Sequence, residues 1–259
     1  MGFVKTADEV VAIRRTLTGV EFVGGEMLSV DVRLPEAQVG ALLPPGFAPA
    51  DGGRASVTVG RWRSNCCGDF AGGAVYLAAT YEGITADYVL TMFMDQDSPL
   101  IFGRDLYGEP KKIAAAALYR QGPTFTGIIE RKGVELIRIE AEVGADRGAS
   151  EGIGRNFNVK APLSADGTGL QAAPEVTLAE FETRISSARH GRASLTLHGT
   201  RHDPLDELEV LEVTGARYVE ADMKATCRSV GLLDADTFLP YAYGRMDDWA
   251  GMATGTAGW

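Results

Sequence analysis

The chain has 259 residues, 45% of them hydrophobic, enough apolar mass to bury a sizeable core in one enzyme-sized domain spanning 1–259. Acidic residues outnumber basic ones 35 to 25, and the net charge of −10 argues against a general affinity for nucleic acid or an anionic membrane. Three cysteines, adjacent Cys66 and Cys67 and distant Cys227, match neither a disulfide framework nor a zinc site and suit a reducing compartment. No basic stretch leads into an apolar core at the N-terminus, and no run reaches the roughly 18 apolar residues that cross a membrane, so the expectation is a cytoplasmic protein.

Thr6-Ala7-Asp8-Glu9 reads as a capping box that starts a helix with Val10, Ile13 and Leu17 on one apolar stripe. A strand is predicted from Met27 to Leu34. Pro35 then opens a short helix whose apolar residues Val39, Leu42 and Leu43 stop at Pro44-Pro45-Gly46. Strand-like segments follow at Ala55 to Trp62, Ala74 to Tyr81 and Asp87 to Met94. Ser98 reads as an N-cap, with Pro99 at the first position of a helix running to Leu106. Gly108 ends that helix and Pro110 blocks its continuation.

Strands are predicted again at Lys112 to Tyr119, Thr124 to Arg131 and Val134 to Val143, and the stretch from Leu232 to Trp249 is expected to be partly helical. The density of strands, with 32 glycines and few long helical runs, gives a β-rich α+β fold, a closed or cone-like antiparallel barrel or sandwich with short peripheral helices.

Lys111 and Lys112 stand where the chain enters a strand, and neighbouring strand residues point to opposite faces, so one ammonium faces a pocket while the other lies close by. On composition alone such a pair is a solvated strand end. Its surroundings change that reading. Gly103-Arg104-Asp105 followed by Gly108-Glu109-Pro110-Lys111-Lys112 resembles the acetoacetate decarboxylase family, whose run is Gly-Arg-Glu and then Gly-aromatic-Pro-Lys-Lys. Asp87-Tyr88 with Met92-Phe93-Met94-Asp95, Phe157-Asn158-Val159-Lys160-Ala161-Pro162 with Asp166-Gly167, and His202-Asp203-Pro204-Leu205-Asp206-Glu207-Leu208 are similar to three further family segments.

The resemblance implies a lysine, Lys111, that forms an imine with a small keto acid, and a second lysine, Lys112, whose charge favours the free amine of the first. It implies no metal and no organic cofactor, the lysine imine itself serving as electron sink, and a homo-oligomer. It also places a strand across Val176 to Ser187, where Thr177-Leu178-Ala179-Glu180 by itself would start a helix.

Three polar groups of the family's pocket are missing. A glutamate position falls at Gly72, a second near Val57, and an arginine position at Gly25. Replacements are sought in Glu82 and Glu109 as relocated carboxylates and in Tyr107, with Tyr241 and Tyr243 closing the pocket. Phe238 and Trp249 are further candidates for its cover. Met92, Phe93 and Met94 are expected to form the apolar wall, and Arg104 and Pro110 to fix the helix–strand junction, Arg104 through a charge pair.

Other motifs read as structural. Gly152-Ile153-Gly154 lacks the third glycine of a dinucleotide loop, His190, His198 and His202 lack metal-ligand spacing, and Asp247-Asp248 reads as a solvated turn. Three functions remain in view. One is a cofactor-independent Schiff-base lyase that decarboxylates a β-keto acid. Another is a pyruvate aldolase-dehydratase using the same imine with an aldehyde co-substrate. The third is a non-catalytic small-molecule-binding protein.

Overall fold

The computed structural model describes residues 2–254. Helix α1 (Ala7–Thr18) carries the expected capping box: Thr6 accepts from the Glu9 amide, and the Glu9 side chain accepts from the Thr6 amide. Then follow β1 (Val20–Arg33), α2 (Glu36–Leu42), β2 (Ala48–Pro49), β3 (Arg54–Ser64), β4 (Gly68–Tyr81) and β5 (Ile84–Met94). After α3 (Asp97–Phe102) and a π-helical turn at Gly103–Tyr107 come β6 (Lys111–Ile113), β7 (Ala115–Gln121), β8 (Thr124–Arg131), β9 (Val134–Asp146) and β10 (Ser150–Lys160). The chain continues through β11 (Glu175–Leu197), β12 (Glu212–Leu232), α4 (Ala235–Gly244) and α5 (Trp249–Ala253). No helix among the described residues is long and apolar enough to cross a membrane.

The strands run β10-β5-β4-β3-β1-β12-β11, and a further β10–β11 pairing closes them into a seven-stranded barrel. Strands β9, β8 and β7 continue outward from β11. They fold back on the barrel: Gly73 and Gly127 let Ile129 and Val59 approach so closely that a Cβ at either glycine would overlap them. The expected β-rich barrel with short peripheral helices is the fold observed.

Side-chain alternation divides the barrel wall into two surfaces. On β3, Ala55, Val57 and Val59 point outward into the main core, where they meet Leu28, Val30, Val75, Leu77, Phe93, Phe125, Ile129 and Phe157. The inward positions of the same strands build a second, smaller cluster of Phe70, Ala74, Val89, Met92 and Met94, with Phe22, Trp62 and Tyr76 against it. The barrel is therefore held by its outer face, and its inner face is free for chemistry.

Several elements differ locally from the sequence reading. The helix expected from Pro99 to Leu106 begins earlier, at Asp97 after an extended Gln96, so Ser98 is not its cap. The following turn widens to a π-helix, and Gly108, at φ 77°, ends it as expected. The strand expected across Lys112 to Tyr119 breaks at Ala114, whose amide donates to the Met94 carbonyl at 2.9 Å. At that break the chain leaves the barrel wall, where β6 pairs with β5, for the outer sheet, where β7 pairs with β8. Val176 to Ser187 is a strand, extended to Leu197, because its partners β10, β12 and β9 outweigh the local helix signal.

Phe157 is fully buried and forms, with Tyr88, one of the two residue pairs that join β10 to β5. Replacing it by alanine should lower unfolding stability by about 3–5 kcal/mol, read as a shifted midpoint in a urea titration. A loss below about 1 kcal/mol would show that barrel closure does not depend on this ring.

Candidate active site

Pairing in register with β5 fixes the two lysines. Met92 stands beside Lys111, Phe93 beside Lys112 and Met94 beside Ile113. Lys111, Met92 and Met94 thus face the barrel interior, while Lys112 and Phe93 face the opposite side. Phe93, expected in the pocket wall, is buried in the main core instead, as the alternation of a strand requires.

Inside the barrel, Lys111 ends in a cavity of about 160 Å³ lined by Phe22, Trp62, Phe70, Tyr76, Met92 and Met94 among others. Its Nζ donates to the Pro99 carbonyl at 3.0 Å and lies 2.7 Å from Oε2 of Glu109, both side chains being almost fully buried. Glu109 precedes Lys111 by two residues and shares its face, so of the two candidate carboxylates this one stands beside the lysine. Gly103 makes the pair possible, since a Cβ there would overlap both the Glu109 carboxylate and the Lys111 ammonium. Burial, with the Glu109 charge second, pushes the Tyr76 hydroxyl well above its usual value, so Tyr76 stays a neutral phenol in this wall.

Other side chains fill the space beside Gly72 and Gly25. A Cβ at Gly72 would run into the Met94 thioether, and one at Gly25 would press on the Trp62 indole at 3.0 Å. Trp62 in turn stacks on Phe70 with ring centroids 5.5 Å apart. Val57 points into the outer core, so a carboxylate there would not reach Lys111; the inward neighbour is Thr58.

Other candidates lie elsewhere. Glu82 forms the β4–β5 turn with Gly83, both at positive φ (48° and 75°), and is exposed to solvent. The two-residue turn that joins these strands needs that conformation, which takes Glu82 away from the cavity. Tyr243 is 43% exposed on α4 and lines no part of the Lys111 cavity. Tyr107 is buried against Phe102 at 5.0 Å, and its carbonyl accepts from Thr177 Oγ1 at 2.5 Å; it does not line the cavity either. Of the C-terminal aromatics, Phe238 belongs to the core and Trp249 is exposed. Arg104 secures the junction by donating to the Lys111 carbonyl at 3.4 Å instead of through a charge pair, and the buried Pro110 accepts from the Met92 amide at 3.3 Å.

On the far face, Lys112 Nζ donates to Asp203 Oδ1 at 2.8 Å and to the His202 carbonyl at 2.7 Å. Arg131 bridges Asp203 (2.5 Å) and Asp247 (2.6 Å), and Lys132 lies 3.2 Å from Asp247. Asp247 is therefore part of a largely buried ion network, and Asp248 caps α5 and pairs with Arg201, so neither is a solvated turn residue. Burial holds the Lys112 ammonium below the usual lysine range, against the opposing pull of Asp203. This network clamps β6 to the loop after β11 and to the α4–α5 link. Sequence reasoning quoted His202-Asp203 but gave Asp203 no role, because its partner is 91 residues away.

A second feature escaped the sequence reading. Cys66 and Cys67, in the β3–β4 turn, hold their Sγ atoms 3.5 Å apart, and Ser64 Oγ lies 3.1 Å from Cys66 Sγ. Hydrogen bonding from Cys67, and then from Ser64, lowers the Cys66 thiol to about 6 against the effect of burial, with Lys111 adding a smaller pull. Cys67 moves the other way because it retains the shared proton. No cluster of three or more His, Cys, Asp or Glu among the described residues is placed to hold a metal ion.

The chain matches the acetoacetate decarboxylase family over residues 11–235. It belongs to that family. A relative in Burkholderia cenocepacia, an acetoacetate decarboxylase, is 29% identical over 161 residues, 60% of this chain and 65% of its own length. The match thus spans just under two thirds of that curated relative.

Among solved structures, the acetoacetate decarboxylase of Legionella pneumophila superposes with a TM-score of 0.75 at 19% identity, covering 83% of this chain and 88% of its own. The enduracididine biosynthesis enzyme MppR, complexed with the condensation product of pyruvate and imidazole 4-carboxaldehyde, gives 0.71 at 20% identity over 82% and 88%. An acetoacetate decarboxylase-like enzyme from Sphingomonas wittichii gives 0.69 at 21% over 83% and 94%. These likenesses establish the fold.

Two measurements probe the site. Asp203→Asn leaves Lys112 without its carboxylate partner and weakens the hold on Arg131, and should cost about 3–5 kcal/mol of stability by chemical denaturation. An unchanged midpoint would remove Asp203 from the clamp. Alkylation of Cys66 by iodoacetamide should reach half its maximal rate near pH 6 and fall below it, because only the thiolate reacts. A midpoint near the ordinary thiol value of about 8.5 would show that Cys67 and Ser64 do not stabilise the thiolate.

Proposed function

We propose that this protein is a cofactor-independent lyase that joins Lys111 to a small keto acid as an imine and decarboxylates a β-keto acid. One observation carries this reading: a nearly fully buried Lys111 with the Glu109 carboxylate at 2.7 Å, at the end of an apolar cavity in a barrel of this family. Attack on a carbonyl needs the amine free of its proton, and Glu109 is the base within reach to take it. The amine adds to the ketone carbon and water leaves, giving an iminium whose positive nitrogen withdraws electrons. The carbon–carboxylate bond then breaks, carbon dioxide departs, and the bonding pair becomes the carbon–carbon double bond of an enamine while the iminium π pair moves to the nitrogen. Protonation of the enamine carbon and hydrolysis by water return the ketone and free Lys111. Glu109 holds the proton between these steps.

Lys112 acts in this scheme as a positioning residue. Its charge is spent on Asp203 across the wall, and its burial anchors the strand that aims Lys111.

A second reading draws on the refilled positions at Gly72 and Gly25. Where the family's groups near the departing carboxylate are replaced by Met94 and Trp62, the enamine of pyruvate has reason to add to an aldehyde and then lose water. The neighbouring MppR complexes, with pyruvate and with a pyruvate–aldehyde condensation product, support it. Carbon dioxide release from acetoacetate favours the first reading, and a conjugated product from pyruvate and an aromatic aldehyde favours the second.

Borohydride reduction in the presence of acetoacetate or pyruvate should fix the keto acid irreversibly to the peptide bearing Lys111, and Lys111→Ala should abolish both labelling and turnover. Glu109→Gln should keep labelling at high pH while lowering turnover by about 10²–10⁴-fold. Lys112→Met should leave the pH profile of labelling unchanged while lowering stability; a profile moved to higher pH would restore Lys112 as the activating cation. If no keto acid labels Lys111 at any pH where the protein is folded, the enzyme reading fails and a binding protein takes its place.

A further inference from the structure

The Lys111 cavity is the inner part of a longer space. Trp62, Tyr76, Asn156, Phe181 and Met223 line it and also line a second chamber of about 370 Å³ further along the barrel interior. The inner space takes little more than the reacting head of a small keto acid, and the larger outer chamber is continuous with it. Two features of the barrel wall create this room. Strand β10 joins β5 only through Asn156↔Asp87 and Phe157↔Tyr88, so its first half pairs with β11 alone. On that half, Gly152 and Gly154 share the inward face of Asn156. Nothing lies within 4 Å of where a Gly152 Cβ would stand, and the nearest atom to one at Gly154 is Phe181 Cβ at 3.9 Å. The glycine pair that has no nucleotide-loop context keeps a chamber open.

The outer chamber carries charges of its own, apart from the Lys111–Glu109 pair of the inner one. Arg54 and Asp87 neutralise each other there at 2.7 Å. Arg217 and Asp31 line it as well, and among the described residues the Arg217 guanidinium makes no hydrogen bond or ion pair. The lining thus sets Arg54 and Arg217 against Asp87 and Asp31, and the exposed Arg217 is the cation not taken up by an ion pair.

Resting on the imine reading of Lys111, we propose that the outer chamber is the subsite for the distal part of the substrate, and that Arg217 receives a carboxylate at its far end. The substrate class is then a keto acid with an apolar middle, lying between Trp62, Phe181 and Met223, and a second acidic group remote from the carbonyl. Arg217 acts as a specificity residue, and the glycines of β10 set the length admitted.

The test is the concentration of keto acid that half-saturates borohydride trapping at Lys111, compared among pyruvate, 2-oxohexanoate and 2-oxohexanedioate. The diacid should half-saturate at about tenfold lower concentration than its methyl-ended analogue, the scale of one charge-assisted pair. Arg217→Gln should erase that difference and leave pyruvate unchanged. Gly152→Leu, placed in open space, should raise the value for both long acids about tenfold and again leave pyruvate unchanged, which also reports that the variant folds. Equal values for the two long acids in the unmodified protein overturn the anionic subsite. Indifference of the long acids to Gly152→Leu overturns the chamber as their binding place. Either result leaves the imine reading standing, whereas failure of pyruvate and both long acids to trap removes that reading and this one with it.

Discussion

The pleat of β6 sends two consecutive lysines through opposite sides of one barrel wall, and the remainder of the site follows from how each ammonium is accommodated. Lys112 enters the packed side, where a cation needs fixed partners, and it has them in Asp203 and two carbonyls. Lys111 enters the hollow side, where its partners are one carbonyl and one carboxylate and the rest of its surroundings are aromatic rings and thioethers. Because Lys112 is clamped, β6 has little freedom to rotate, and Lys111 is aimed with it. The arrangement separates two demands that conflict in one residue: being held and being reactive.

A carboxylate two residues before Lys111 sets the character of the inner cavity. Glu109 puts an oxygen 2.7 Å from Nζ without a long-range partner. The strand spacing of two guarantees a shared face, and Gly103 removes the one Cβ that would collide with the pair. Met94 and Trp62 fill the spaces beside Gly72 and Gly25, which makes the cavity more apolar and thereby strengthens any charge interaction left inside it.

Features encoded within a few residues were legible in the sequence. The capping box at Thr6, the stop at Gly108, the strand periods and the Pro110-Lys111-Lys112 run depend on local sterics and hydrogen bonds, and the family's motifs pinned the barrel. Glu109 was named as a candidate together with Glu82, and nothing local separated a buried carboxylate from one in a hairpin turn. The left-handed Glu82-Gly83 turn decides it, and that turn depends on how β4 and β5 register. Phe93 was misplaced because a run of three apolar residues does not reveal its own phase; only pairing with β6 does. Asp203 and Arg217 were silent for a further reason. Each acts on residues far along the chain, and sequence spacing carries no signal for a contact made by barrel closure.

The alternation that hides phase from the sequence also gives the molecule its division of labour. The large fully buried side chains, Phe93, Phe125, Phe157, Phe238 and Tyr218 among them, lie outside the barrel wall, between it and the outer sheet and helices. Most proteins close a barrel of this size by filling it with side chains. Here the stabilising burial is on the convex side, so the lumen can stay partly empty and polar at one end without unfolding the chain. Inward positions on β3, β4, β10 and β12 are then free to change size and charge while their outward neighbours hold the wall.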